Sequence, residues 1–502
     1  MKMLFNKSIT AALCAAVLAL GAAGCQEARL NPVPTASLSD KVVFSTPARV
    51  AQQNNNLYSY VKTGGFLGGR VQVYGDIRAN DFINRTSNAV TGLTVWNHTL
   101  TESSQNDVIN TWGFGYSAIN QINVFLEGLD ANASKFVAPD FPANYNNTTA
   151  NNFRGEARLL RALSYYTLLQ LYARPFADGN GSKPGLPLRL KAEIDDTNNN
   201  LARSTVAEVY AQILKDLDFA ELNLPLTYAA GTSPVSRAHR NTAIALKTRV
   251  YLSMGRYADV ITEANKLVPA AAPFVAPSGV AHALNASVAA LFAPPQETTE
   301  YILAFPFTAQ DAPGTQNQLG YYFLPGSLGG NGEYSLNGGA GGILTNPGFG
   351  AADARRTALV VAVGSESFLK KYPTGSPNPF TDRAPVIRYA EVLLSLAEAR
   401  VRTTNAVDPQ ALALLNAVRG RSNPAGVYTA ASFAAASDLT DAILLERRIE
   451  FLGEGLRNID IMRQNATIPA KGSVSAIPST ASNYVWPIPS TELAVNTLMT
   501  RN

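Results

Sequence analysis

Three glutamates, Glu446, Glu450 and Glu454, recur every four residues near the C-terminus, a spacing that places them on one face of a helix. Paired carboxylates at a suitable separation are what a glycoside hydrolase needs, one to protonate the leaving group and one to attack or activate water. Arg447, Arg448 and Arg457 are interleaved with them, and Glu391 and Glu398 likewise have Arg388 and Arg400 close by. That pattern fits charges paired between helices better than free catalytic acids. The three histidines, His98, His239 and His282, are scattered, with no HExxH spacing and no cysteine partner, so no zinc site is expected. Nucleophile-elbow, phosphate-loop and calcium-loop patterns are absent too. The expectation is a protein that is no enzyme and carries no metal or cofactor.

Binding chemistry is better represented. Sugar rings offer C–H faces that stack on Trp or Tyr, and hydroxyls that suit Asn, Asp and Arg. Three stretches carry this mixture: Asp76 and Arg78 in Tyr74-Gly75-Asp76-Ile77-Arg78, Trp96 and Asn97 just before His98, and Tyr321, Tyr322 and Tyr334 around the Gly-rich stretch 326–342. These seven residues are the candidate ligand contacts. The 74–78 stretch reads as turn-rich. If 321–323 is a strand, alternation turns one of Tyr321 and Tyr322 inward.

The elements that must position these residues are mainly helices. Phe153 to Tyr172 carries one apolar row through Leu159, Leu163 and Tyr166 and a second through Leu160, Leu168 and Leu171. One stripe cannot hold both rows, so this helix must pack on several sides, and Pro175 ends it. Arg203 to Pro225 contains a helix capped by Thr205 with Glu208 three residues on, a capping box. Thr242 to Val268 reads as a helical hairpin turning at Gly255, of the tetratricopeptide kind, though no strict 34-residue period runs along the chain. From about 270 to 381, Gly, Pro, Asn and Ser dominate, with short strand-like pieces such as Tyr301 to Phe305. Helices resume at Pro385 to Arg402, Asp408 to Arg421 and Leu439 to Asn465.

With 46% hydrophobic and 16% charged residues among 502, the chain can bury a large core. Forty-one Lys and Arg against 37 acids leave it close to neutral, and no basic run offers a footprint for nucleic acid. Lys2 and Lys7 precede an apolar run from Ile9 to Leu20 and the small residues 21–24, the pattern of a signal peptide. Ala22-Ala23-Gly24-Cys25 resembles a lipobox. Cys14 lies in the leader and Cys25 at its end, so Cys25 is expected to carry the lipid, followed by a tether with Pro32 and Pro34.

Taken in order, several segments resemble the SusD/RagB family: Trp112 to Asn123; Arg154-Gly155-Glu156-Ala157-Arg158 with Tyr165-Tyr166; Arg203 to Pro225; Ile387 to Leu394 with Ala397-Glu398-Ala399; Leu415 to Arg421; Glu446 to Phe451 with Glu454 to Arg457; Asp460 to Arg463; and Pro487 to Asn496. The resemblance spans nearly the whole mature chain. It implies a mostly α fold, with tetratricopeptide-like helical hairpins, a long loop-rich insertion and few short strands. It also implies an outer-membrane lipoprotein facing the cell exterior that binds an oligomeric nutrient, glycan before peptide. Such a protein delivers its ligand to a SusC-like TonB-dependent transporter. Domain boundaries follow as 1–24 leader, 25–40 tether, 41–270 N-terminal helical region, and 271–502 C-terminal region including the insertion 271–381. The competing readings are a surface glycan hydrolase on a helical scaffold and a periplasmic tetratricopeptide adaptor.

Overall fold

The protein is described here by a computed structural model covering residues 40–502. The leader, Cys25 and all but the last residue of the tether lie outside the described residues. The long helices are α1 (Pro47–Val61), α2 (Arg70–Ile77), α3 (Asn110–Ala131), α4 (Thr149–Tyr172), α5 (Val206–Asn223), α6 (Arg240–Ser253), α7 (Tyr257–Ala264), α8 (Tyr389–Thr404), α9 (Pro409–Ser422) and α10 (Ala436–Glu450). From α4 to α7 each packs on the one before it, and α3 packs also on α1. The stack then continues from α7 directly to α8, although residues 265–388 lie between them in sequence, and on to α9 and α10. The insertion therefore leaves the stack and returns to the same place. Helical pairs stacked in this way bury a continuous core that one pair alone could not.

Local sequence explains the helices. α4 is buried almost all round because α1, α3 and α5 all pack on it, as its two apolar rows require. Its Arg161 donates to both carboxylate oxygens of Asp216 on α5 at 2.8 Å and to Asn123 on α3 at 2.8 Å, joining three helices through one side chain. The capping box is in place: Thr205 N–H donates to Glu208 at 2.7 Å and Glu208 N–H to the Thr205 hydroxyl at 3.2 Å. At the α6–α7 turn Gly255 has φ +68°, the left-handed backbone that favours glycine.

Strands are short and occur in three separate antiparallel pairs. β1 (Phe82–Asn84) pairs with β3 (Tyr334–Leu336), β2 (Tyr301–Phe305) with β6 (Ala384–Arg388), and β4 (Val360–Val363) with β5 (Glu366–Leu369). One hydrophobic cluster runs from Phe44 to Met499. Among the described residues no helix is long and apolar enough to cross a membrane.

Four local expectations are corrected. Residues 384–388 form β6, and the helix begins only at Tyr389: the segment pairs with β2, and its β-branched Val386 and Ile387 suit a strand. The segment 439–465 is two helices, α10 and a short one at Arg457–Met462, separated by a turn in which Gly453 and Gly455 have φ +83° and +82°. Tyr321 and Tyr322 lie in a single helical turn, Leu319–Phe323, so strand alternation does not apply to them. Residues 74–77 close α2 instead of lying in a turn-rich stretch.

Candidate functional site

The carboxylate ladder converges on cations. Arg355 reaches Asp353, Glu446 and Glu450, and Arg419 reaches Glu446. Arg421 holds Glu300 and Glu450, Arg388 holds Glu300, Glu450 and Glu454, and Lys371 holds Glu454. All these side chains are buried. Burial works to raise the carboxyls of Glu450 and Glu454, yet the guanidinium charges outweigh it and hold both below the usual carboxylate range. A carboxyl held ionised in this way has no proton to give a leaving group. Glu391 pairs with Arg249, and Glu398 pairs with Arg463 and Arg402.

The seven candidate contacts divide by burial. Asp76 is buried in α2, where it accepts the Gly455 N–H at 2.7 Å, and burial pushes its carboxyl well above the usual range. That contact is close by construction: a Cβ on Gly75 would stand 2.0 Å from the Gly455 carbonyl oxygen. Tyr322 donates to the Gln316 carbonyl and Tyr334 to the Thr91 carbonyl, both at 2.8 Å and both buried. Tyr321 is half-buried, edge-on to Tyr322 and to Phe380.

Arg78 and Asn97 line a cleft, and Trp96 is packed behind it. Trp96 ends a one-turn helix, Leu93–Trp96, and its indole N–H donates to the Phe82 carbonyl of β1 at 3.0 Å. Tyr334 supports the same turn from β3 through Thr91. The chain then passes through half-buried Asn97 into His98, whose φ of +60° swings its ring across the end of α2. From the other side comes the hairpin 468–477, bridged at Ile468–Ile477 and Lys471–Val474. Its Lys471 ammonium donates to the Ile77 and Arg78 carbonyls and lies 3.1 Å from His98 Nε2. A lysine here meets the free carbonyls and negative dipole end of α2. It lies 5.5 Å from the centre of the Trp96 ring. Arg78 donates to the carbonyls of Asn483 and Tyr484 at 2.8 and 2.7 Å, while its Nη1 is buried without a partner.

Two adjoining hollows, about 220 and 440 Å³ in volume, share His98 and Asn483. Arg78, Glu102 and Arg501 line the first, and Asn97, Thr99 and residues 473–478 the second. Burial, then the Lys471 charge, lowers the His98 imidazole to about 4, so it is neutral at pH 7 and offers one donor and one acceptor. Burial lowers Arg78 only to about 10, and its charge remains. Such a cleft can hold hydroxyl-, amide- or acid-bearing groups by hydrogen bonds. Among the described residues no three His, Cys, Asp or Glu side chains converge where a metal ion could sit. Lys471, Asn483 and the rim pair Glu102–Arg501 carried no sequence signal. They lie some 370 to 400 residues from their partners, and only the folded chain brings them together.

Residues 33–252 match the family described as starch-binding and associating with the outer membrane, and residues 365–502 match the SusD family. A SusD-like protein of Formosa agariphila is 23% identical over 97% of each chain. Among solved structures, a SusD superfamily protein from Bacteroides fragilis is 30% identical, covers 91% of this chain and 100% of its own, and superposes with a TM-score of 0.79. A surface glycan-binding protein A from Bacteroides uniformis, 20% identical over 91% of this chain and 99% of its own, gives 0.68. With that fold, those matched segments and that relative, the chain belongs to the SusD superfamily.

Proposed function

We propose that this protein is a non-catalytic, lipid-anchored receptor on the outer face of the outer membrane. In this reading it captures an oligomeric glycan, with peptide the second ligand class, and hands it to a SusC-like TonB-dependent transporter. The observation that carries the reading is the contrast between two polar regions. The carboxylates that could hydrolyse a glycan are buried and matched by cations, whereas the cleft around His98 and Asn483 is open and rich in hydroxyls and amides. Asn97 is the sequence-predicted contact that lines it, and Arg78 lines the adjoining hollow. Tyr321 and Phe380 offer a half-exposed aromatic pair elsewhere for a longer ligand. The match to a family described as starch-binding and the likeness to a surface glycan-binding protein favour glycan over peptide.

The test is calorimetry of the full chain, purified in detergent, against polysaccharide and peptide panels, with the same mixtures assayed for released products. Saturable binding without products is expected, together with co-purification of a barrel protein from native membranes. Product release lost in Glu450→Gln without unfolding would instead establish a hydrolase.

A further inference from the structure

We propose that the cleft is built for sugars bearing oxyanions, uronate or sulfate groups, which are drawn to Arg78 in its wall. The proposal deepens the glycan-receptor reading and rests on it.

The argument starts from charge balance. Buried cations in the helical stack face carboxylates: Arg161 faces Asp216, Arg249 faces Glu391 and Arg463 faces Glu398. At the cleft floor the pattern breaks. Arg78 is 3% exposed and Lys471 2%, yet the groups they touch are main-chain carbonyls and His98, with no carboxylate among them. Burial, then the neighbouring Arg78 charge, lowers the Lys471 ammonium well below its usual range, as expected of a buried cation without a counter-charge. His98 is neutral, and at the rim Glu102 and Arg501 neutralise each other at 2.6 Å. The charge of Arg78 is therefore one that no carboxylate among its hydrogen-bond partners offsets.

An uncompensated buried charge is costly, and an anion arriving in the hollow that Arg78 lines relieves that cost. Arg78 Nη1 is also buried without a partner, while Nη2 is fixed by two carbonyls, so the guanidinium is not fully satisfied within the fold. A planar guanidinium held in this way matches a carboxylate or sulfate edge.

Neutral sugars are commonly held by aromatic stacking, and the cleft offers little of that. Trp96 is 7% exposed with its N–H committed, and none of the residues lining the two hollows is Trp, Tyr or Phe. What they present are the Asn97 and Asn483 amides and the Thr99, Ser473, Ser475 and Ser482 hydroxyls, which suit the remaining sugar hydroxyls.

The experiment is calorimetry of the full chain with matched polymers: dextran sulfate against dextran, and polygalacturonate against its methyl ester. The acidic member of at least one pair is expected to bind about tenfold or more tighter, and to weaken as salt rises. The preferred pair tells sulfate from carboxylate. Arg78→Gln is expected to remove about tenfold of the acidic affinity. Because Arg78 also ties down residues 483–484, Glu102→Gln supplies a gain-of-affinity counterpart: freeing the Arg501 charge should tighten the acidic polymer a few-fold. Equal binding of acidic and neutral members, or acidic binding that neither substitution moves, overturns the proposal and leaves the glycan receptor standing. Binding to peptides and to no polysaccharide overturns the reading beneath it.

Discussion

Replacing Arg388 by methionine tests the claim that the C-terminal carboxylates are structural. The cluster closes on itself with five cations, Arg355, Lys371, Arg388, Arg419 and Arg421, against five carboxylates, Asp353, Glu300, Glu446, Glu450 and Glu454. Arg388 sits at its centre, donating to Glu300, to Glu450 at 2.9 Å and to Glu454 at 2.7 and 2.8 Å. Without it every carboxylate keeps a partner: Glu300 keeps Arg421, Glu450 keeps Arg355 and Arg421, and Glu454 keeps Lys371. One surplus negative charge nevertheless remains in a fully buried site. The cost should therefore fall at the low end of the range for a broken buried pair, about 3 kcal/mol. Unfolding about 460 residues carries an entropy near ~1 kcal/mol/K, so the melting temperature should fall by about 3 °C. Adding Glu454→Gln restores the balance at four against four, and the double variant should be less destabilised than the sum of the singles by about 1 kcal/mol or more. Urea unfolding of the four proteins gives the cycle. An Arg388→Met protein as stable as the parent, with an additive cycle, would refute the reasoning. It would mean that desolvation cancels the attraction and the network contributes nothing to stability.

Four further outcomes are expected. Burial lowers His239 to about 3 and His282 to about 4, with their Nε2 atoms 3.3 Å apart, so both stay neutral in the fold while the unfolded chain takes up protons below pH 6.5. Their contribution is complete above that value and is lost as pH falls, by about 1.4 kcal/mol per unit for each ring. Asp382, which burial lifts to about 6, offsets part of this by gaining stability in the same direction. Asp76, which burial also raises, opposes the histidines as well, so the test is a difference: between pH 7 and 5 His282→Phe should lose less stability in urea than the parent, and identical slopes contradict the burial argument. Trp96→Ala should cost about 3–5 kcal/mol by emptying the space over Gly472 and Lys471. Asn97→Ala should cost under about 0.5 kcal/mol while weakening ligand binding, a split read by thermal melts beside calorimetry. Thr205→Ala should cost about 1 kcal/mol through loss of the capping box, measured by urea unfolding.

How much of this was legible in the sequence depended on the range of the interaction. Capping at Thr205, the turn at Gly255 and the multi-sided packing of α4 rest on residues within a few positions, or on periodicity, and all three are present in the fold. The break after Glu450 was legible in principle, since Gly453 and Gly455 stand in the middle of the supposed helix, but the four-residue spacing of the glutamates masked it. Glu454 reaches Arg388 from a turn and not from the helix face. At the cleft, residue type alone could not tell a contact from a support. Trp96, Tyr322 and Tyr334 are amphipathic rings whose polar atoms found partners inside the fold. Lys471 gave no local sign that it would close the end of a helix almost 400 residues earlier.

The same physics explains why residues chosen for binding chemistry turn out to be joined to the charge network. Arg388 holds Glu454, and the next residue, Gly455, donates its N–H to Asp76. Asp76 lies one residue before Ile77 and two before Arg78, whose carbonyls bind Lys471 and whose guanidinium holds the 483–484 segment of the cleft wall. Each link is buried and short, so the floor of the cleft has little freedom to reorganise when a ligand arrives. A polar site fixed in this way loses less entropy on binding than one built from mobile loops. The Gly75–Gly455 approach is the tightest link, at 2.0 Å for an added Cβ, and a methyl group there must push α2 away from the 451–456 turn. Gly75→Ala should therefore weaken ligand binding from more than 390 residues away in sequence from the 471–483 wall. If affinity is unchanged in a folded Gly75→Ala protein, the cleft floor is held by Lys471 and Trp96 alone, and the helical stack only carries it.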